Sequence, residues 1–171
     1  MKSFPRTLAC VAVAALAGCG VLKHKVLTAP QISGTVTRAG VPVAGLHVQL
    51  ADALDDAGDA VSDAVKDDAV TNAQGHFSVG PLHRKKRTWS VPLFNVAQHT
   101  VPWGLRLSKD GQAWQAGWLS DPTLFGEVPK APISALCELT VHGKSSVIDG
   151  DIAIVGNGPC LLQLVQAKKK K

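Results

Sequence analysis

Ile32-Ser-Gly-Thr-Val-Thr-Arg-Ala-Gly-Val-Pro-Val-Ala-Gly-Leu-His-Val-Gln-Leu50 reads as two strands joined by a tight connection. Ile32 to Val36 alternates apolar and polar residues with period two, the mark of a half-buried strand. Arg38 to Pro42 supplies turn residues, and Leu46, Val48 and Leu50 then share one face of a second strand. Working outward, Val70-Thr-Asn-Ala-Gln-Gly-His-Phe77 with Ser78-Val79 predicts a third, hairpin-like element turning at Asn72 to Gly75. Leu105-Arg-Leu-Ser108 and Ala113 to Trp118 flank Lys109-Asp-Gly-Gln112, a strong hairpin signal. Trp114 and Trp118 share a face there, either as core or as a stacking platform for a sugar, with core preferred. Leu119 to Pro132 reads as a long loop, and Ala135 to Val141, Asp151 to Val155 and Leu161 to Val165 as further strands.

Ile32-Ser-Gly-Thr-Val36, Gly40-Val-Pro-Val-Ala-Gly45, Val48-Gln-Leu50 and Thr71-Asn-Ala-Gln-Gly75-His-Phe77 together resemble the carboxypeptidase regulatory-like domains. Those carry a G-x-V, G-x-P-V-x-G-A-x-V-x-L, T-x-x-x-G-x-F pattern. The resemblance covers Gln31 to Leu82 and implies an all-β fold, an antiparallel, prealbumin-like (transthyretin-like) β-sandwich of about seven strands. Gly40, Gly45 and Gly75 would occupy turns that require positive φ, and Phe77 would plug the space between sheets. Such domains are joined to many unrelated systems, so the pattern implies a fold and no activity.

Two stretches depart from that pattern. Ala51 to Asp68 replaces a short loop and holds seven of the thirteen acids. Asp52, Asp56, Asp59, Asp63 and Asp67 recur at helical spacing opposite Leu54, Val61 and Val65, which predicts a short acidic helix over 52–68 or an ordered acidic flap. Calcium is the sharper alternative, but the alternate-position ligands of an EF-hand loop are missing. The second departure is His83-Arg-Lys-Lys-Arg87 beside Trp89. Contact with phosphate, lipopolysaccharide or nucleic acid is weighed against a solvated loop, the preferred reading, and against pairing with the acidic insertion of the same molecule.

The first 19 residues have another character. Lys2 and Arg6 precede an uncharged run from Thr7 to Gly18, the layout of a secretory signal. The uncharged stretch ends at Leu22, short of the roughly 20 residues a spanning helix needs. Leu16-Ala17-Gly18-Cys19 resembles the lipobox of bacterial lipoproteins, which implies cleavage before Cys19 and a thioether-linked diacylglycerol on it. Gly20 in place of Asp implies delivery to the outer membrane, facing the periplasm. Two or three acyl chains on one Cys would hold the protein almost permanently, since one chain alone is marginal. The chain then divides into a leader (1–18), a tether (19–30), a sandwich domain (31–165) and a Lys tail (166–171) expected to be disordered. Lys23 and Lys25 in the tether would touch anionic headgroups only weakly, at two charges.

Removing the leader leaves 16 basic against 13 acidic residues, a formal charge of +3, and four of the positives are Lys168 to Lys171. The sequence pI of about 9.2 is therefore no sign of nucleic-acid binding. Export through an oxidising compartment predicts that Cys137 and Cys160 pair, since Cys10 leaves with the leader and Cys19 carries lipid.

Catalytic patterns are missing. The sequence contains no Cys-x-x-Cys, His-x-His or His-Glu-x-x-His for zinc, and no Gly-x-Ser-x-Gly elbow. Gly143-Lys-Ser145 resembles the end of a phosphate-binding loop, but Glu138 stands where its first glycine belongs. With no Tyr, the chain also lacks the Tyr-Arg-Gly-Ser ending of transthyretin-like hydroxyisourate hydrolases and the tyrosine iron ligands of sandwich dioxygenases. The expectation is a non-catalytic, membrane-anchored envelope lipoprotein without cofactor, metal or nucleic acid, whose partner is an envelope protein or glycan. Two other classes stand beside it. One is an inhibitor or immunity lipoprotein against a cell-wall or membrane-directed enzyme. The other is a glycan-binding module, which needs Trp114 and Trp118 in solvent, or a secretion-system accessory lipoprotein.

Overall fold

The computed structural model describes residues 21–89, 102–121, 128–141, 143–149 and 153–165, and every regular element among them is a strand. In chain order these are β1 (Val21–Ala29), β2 (Ile32–Arg38), β3 (Val41–Pro42), β4 (His47–Ala51), β5 (Lys66–Val70), β6 (His76–Val79) and β7 (Leu82–Trp89). There follow β8 (Gly104–Ser108), β9 (Gln115–Ser120), β10 (Ile133–Glu138), β11 (Lys144–Ile148), β12 (Ile154–Gly158) and β13 (Cys160–Leu164). The fold class is all-β, as the alternation predicts, with more strands than the seven expected.

The chain falls into two units. The larger comprises 27–84 and the described residues after 101; the smaller comprises 21–26 with 85–89. In the larger unit, a five-stranded sheet has the order β13-β10-β2-β3, with β6 also on β2, and a six-stranded sheet has the order β11-β12-β9-β8-β4-β5. β2 and β10 run parallel, Ile32 opposite Ile133, while the other printed pairings are antiparallel. The two sheets share one core. Ile32, Val36, Phe77, Val79, Ile133 and Leu162 of the first meet Val48, Leu50, Leu105, Leu107, Trp118 and Ile148 of the second. Phe77 is buried there, the position the resemblance implies.

Several boundaries differ from the sequence reading. No helix forms over 52–68: residues 52–65 are the long connection between β4 and β5, closed by a Leu54–Ala60 bridge, and 66–68 begin β5. Asp55 accounts for much of this, because its carboxylate accepts the N–H groups of Ala57 and Asp59, and Gly58 turns at φ +80°. Aspartates that bond their own backbone compete with a helix. The acidic segment is instead an ordered flap over the outer face of the six-stranded sheet, where Gly58 packs on Ala116 and Leu54 on Gly104. The turn at Asn72 to Gly75 is present, with Asn72 Oδ1 accepting from Gln74 and His76. It does not close a hairpin, since β5 joins one sheet and β6 the other.

The region 19–30, read as a tether, contains β1, and the run 83–87, read as a solvated loop, lies inside β7. β1 and β7 pair as a two-stranded sheet. The residues that end β1 and begin β7, Ala29 and Leu82, belong to the core.

Candidate functional site

Two arginines fasten the acidic flap. Arg84, from the basic run, places Nε 2.7 Å from Asp52 Oδ2 and Nη2 2.8 Å from Asp52 Oδ1, a two-point fork, and Nη1 3.1 Å from Asp63. The Asp52 side chain is fully buried and also accepts the Val65 N–H at 2.8 Å. Burial alone would raise its carboxyl pKa, but the Arg84 hydrogen bonds and the Val65 N–H outweigh it, and the group stays below the usual carboxylate value. Arg84 is correspondingly pushed up by Asp52. Pairing of the basic run with the acidic insertion is thus realised through Arg84.

Arg106 of β8 is the second clamp. It pairs with Asp59, donates to Gln49 Oε1 at 3.0 Å, and lies 5.3 Å from the Trp114 ring centroid. Sequence reasoning passed over Arg106, although its place between Leu105 and Leu107 puts it on the opposite face from the core. Asp67 accepts the Gly80 N–H and Asp68 accepts from Gln49. These acids spend their oxygens on donors of the protein itself. No group of three or more His, Cys, Asp or Glu is placed to hold a metal ion among the described residues.

Glu138 is a second residue whose role the sequence conceals, since by spacing it only stands in the place of a phosphate-loop glycine. Its carboxylate accepts the N–H groups of Ala39 (2.8 Å), Gly40 (3.0 Å) and Thr140 (3.0 Å) and the hydroxyls of Thr140 (2.7 Å) and Thr37 (3.0 Å). Ala39 and Gly40 both have positive φ, at 52° and 77°, so the carboxylate holds a turn that Ala39 enters at a steric cost. The Gly40 N–H and then the Thr140 donors push the Glu138 pKa down to about 2 from 4.5. A depressed carboxyl contributes stability above its unfolded value and loses it as pH falls through the folded one. The expected result is a stability gap between wild type and Glu138→Gln that is constant above pH 5 and closes between about pH 4.5 and 2. Urea midpoints measured against pH check this; a gap unchanged down to pH 2 would contradict it.

A groove of about 310 Å³ opens where Arg38 at the end of β2, the β8–β9 turn, and Leu139, Val141 and Gly143 converge. Leu46 and Leu107 line it at the core side, and Arg38, Lys109, Gln112 and Val141 also contribute. No Asp or Glu lines it, and neither Arg38 nor Lys109 makes an ion pair among the described residues. The groove therefore offers two cations, side-chain amides and an apolar floor to an incoming segment.

The remaining expected sites sort as follows. Cys137 and Cys160 are bonded, directly opposite on β10 and β13. Their neighbours, Glu138 N–H and Pro159 O, hydrogen-bond, so the cysteines occupy a non-hydrogen-bonded pair, where antiparallel side chains come closest. Closing a loop of about 24 residues is worth roughly 3 kcal/mol on the chain-entropy model. Trp118 is buried against Trp103, at 5.1 Å between centroids, so it forms no solvent-facing platform with Trp114. Lys144 opens β11 rather than a helix, which removes the phosphate-loop alternative. Cys19 lies outside the described residues. Comparison with protein-family models, curated proteins and solved structures finds no match to this chain.

Proposed function

We propose that this chain is a non-catalytic lipoprotein of the bacterial cell envelope, anchored through Cys19 to the outer membrane and facing the periplasm. Its sandwich, of the carboxypeptidase regulatory-like type, grips another envelope component. The observation that carries the binding role is the groove between the end of β2 and the β8–β9 turn, with two cations above an apolar floor. Leu16-Ala17-Gly18-Cys19 supports the anchor, and the Cys137–Cys160 bond supports passage through an oxidising compartment. The flap and the turn at Glu138 spend their charges internally, which suits a rigid presenting scaffold.

Two measurements test this. Labelled palmitate should enter the wild type and not Cys19→Ser, and only the wild type should stay with membranes after a high-salt wash; a Cys19→Ser form that resists the wash defeats the anchor. Photo-crosslinkers at Gln112 or Val141 should capture one envelope component, and Arg38→Glu with Lys109→Glu should abolish capture. Undiminished capture by that double variant would remove the groove from the interface.

A further inference from the structure

We infer that the two-stranded sheet of β1 and β7 is a docking surface for anionic phospholipid headgroups, acting beside the lipid on Cys19. The inference rests on the lipoprotein reading for its setting, and on the strand pairing for its chemistry. β1 carries Lys23, His24 and Lys25; β7, past Arg84, carries Lys85, Lys86 and Arg87. Neither strand contains an acid. These two clusters lie far apart in the chain, and each alone is too weak to matter. Pairing of β1 with β7 puts five permanent cations on one narrow ribbon. Lys25 and Lys85 are exposed.

Arg84 belongs to a different task. Asp52 and Asp63 neutralise it, so its charge is spent inside the larger unit and the strip begins at Lys85.

Covalent geometry supplies the location. Lys23 is four residues from Cys19, and an extended chain spans at most about 3.5 Å per residue, so an acyl chain on Cys19 keeps Lys23 within about 14 Å of the headgroups. That is close to the roughly 8–10 Å over which charges act at physiological salt. A basic residue near an anionic leaflet raises partitioning by roughly fivefold, so even the three or four of these that strand alternation lets share one face turn a marginal contact into a firm one. Trp89 ends β7, and Trp is a residue type enriched at the membrane–water boundary.

The test uses the mature chain with Cys19→Ser, which removes the acyl chains, and sedimentation with vesicles. Binding is expected to vesicles containing phosphatidylglycerol and not to pure phosphatidylcholine, and to weaken steeply with salt. The variant Lys23→Gln, Lys25→Gln, Lys85→Gln, Lys86→Gln, Arg87→Gln should lose at least 100-fold in partitioning with an unchanged urea midpoint. A variant with Lys168 to Lys171 all changed to Gln serves as the comparison and should lose far less. The inference is overturned by absence of binding to anionic vesicles, by equal loss in the tail variant, or by binding as tight to an oligonucleotide as to the vesicles. Vesicle binding without palmitate on Cys19 would defeat the anchor alone, and palmitate without vesicle binding would defeat this inference alone.

Discussion

Trp118→Ala lowers the unfolding free energy by about 3–5 kcal/mol, the range for deleting a large aromatic side chain from a close-packed core. Trp118 is 0% exposed and sits on β9, which is hydrogen-bonded on both sides, to β8 and β12. Its ring lies against Trp103 on one side and over Gly156 on another, where a Cβ would come within 2.5 Å of ring carbon Cζ2 or Cε2. Gly156 is therefore glycine because the indole occupies the space of its side chain, and neither partner can refill the void if the ring is removed. The indole N–H also donates to Ser146 Oγ at 2.9 Å, tying β9 to the edge strand β11. Trp118→Phe keeps most of the volume and loses that bond, so it should cost about 1–2 kcal/mol. Urea unfolding of both variants checks the order. Equal losses would mean that the hydrogen bond, rather than the volume, carries the effect.

A core place for Trp118 was legible in the sequence beside the Asp110-Gly111 turn of the β8–β9 hairpin. Its expected shared face with Trp114 was not realised: the register shifts between Leu105 and Arg106. Trp114 precedes β9 and lies beside Arg106, while Trp118 fills the core. Asp110 and Gly111 do take positive φ, at 51° and 74°. Where one side of a strand is core, period two is plain, as in β6 and β10. It fails where burial does not alternate. β11 reads Lys-Ser-Ser-Val-Ile, and only Ile148 among its residues is buried, so nothing in its pattern distinguishes it from a loop. β8 is buried throughout because the acidic flap covers its outer face, so Arg106 looked like an ordinary solvent residue. The Asp spacing in the flap imitates a helix, yet those carboxylates are set by partners on β7, β8 and the flap's own backbone, which no local period reveals. Glu138 is harder still: beside its neighbour Thr140, its donors Thr37, Ala39 and Gly40 lie about a hundred positions away in the chain.

Arg84→Ala is the second large loss, again about 3–5 kcal/mol, because it leaves a buried carboxylate without its counter-ion. Asp52 has no exposed side-chain surface, and after the substitution no cation faces it, although the Val65 N–H still donates to it. The wild-type carboxyl is held below its ordinary value, so the pair contributes fully above about pH 4 and loses that contribution as pH falls lower. In the variant the sign inverts. Burial now raises the Asp52 pKa above its unfolded value, the folded state gains by binding a proton, and the deficit against wild type shrinks on acidification. Arg84→Met with Asp52→Asn separates the charge from the packing. The amide oxygen still accepts from Val65 and no charge is stranded, so the double variant should recover to within about 1–2 kcal/mol of wild type at neutral pH. Amide exchange in the flap, read on Asp55 to Ala64, should quicken in Arg84→Ala and return towards wild type in the double variant. If the double variant is as unstable as Arg84→Ala at neutral pH, the loss comes from the stem of Arg84 packing on the flap rather than from a stranded charge.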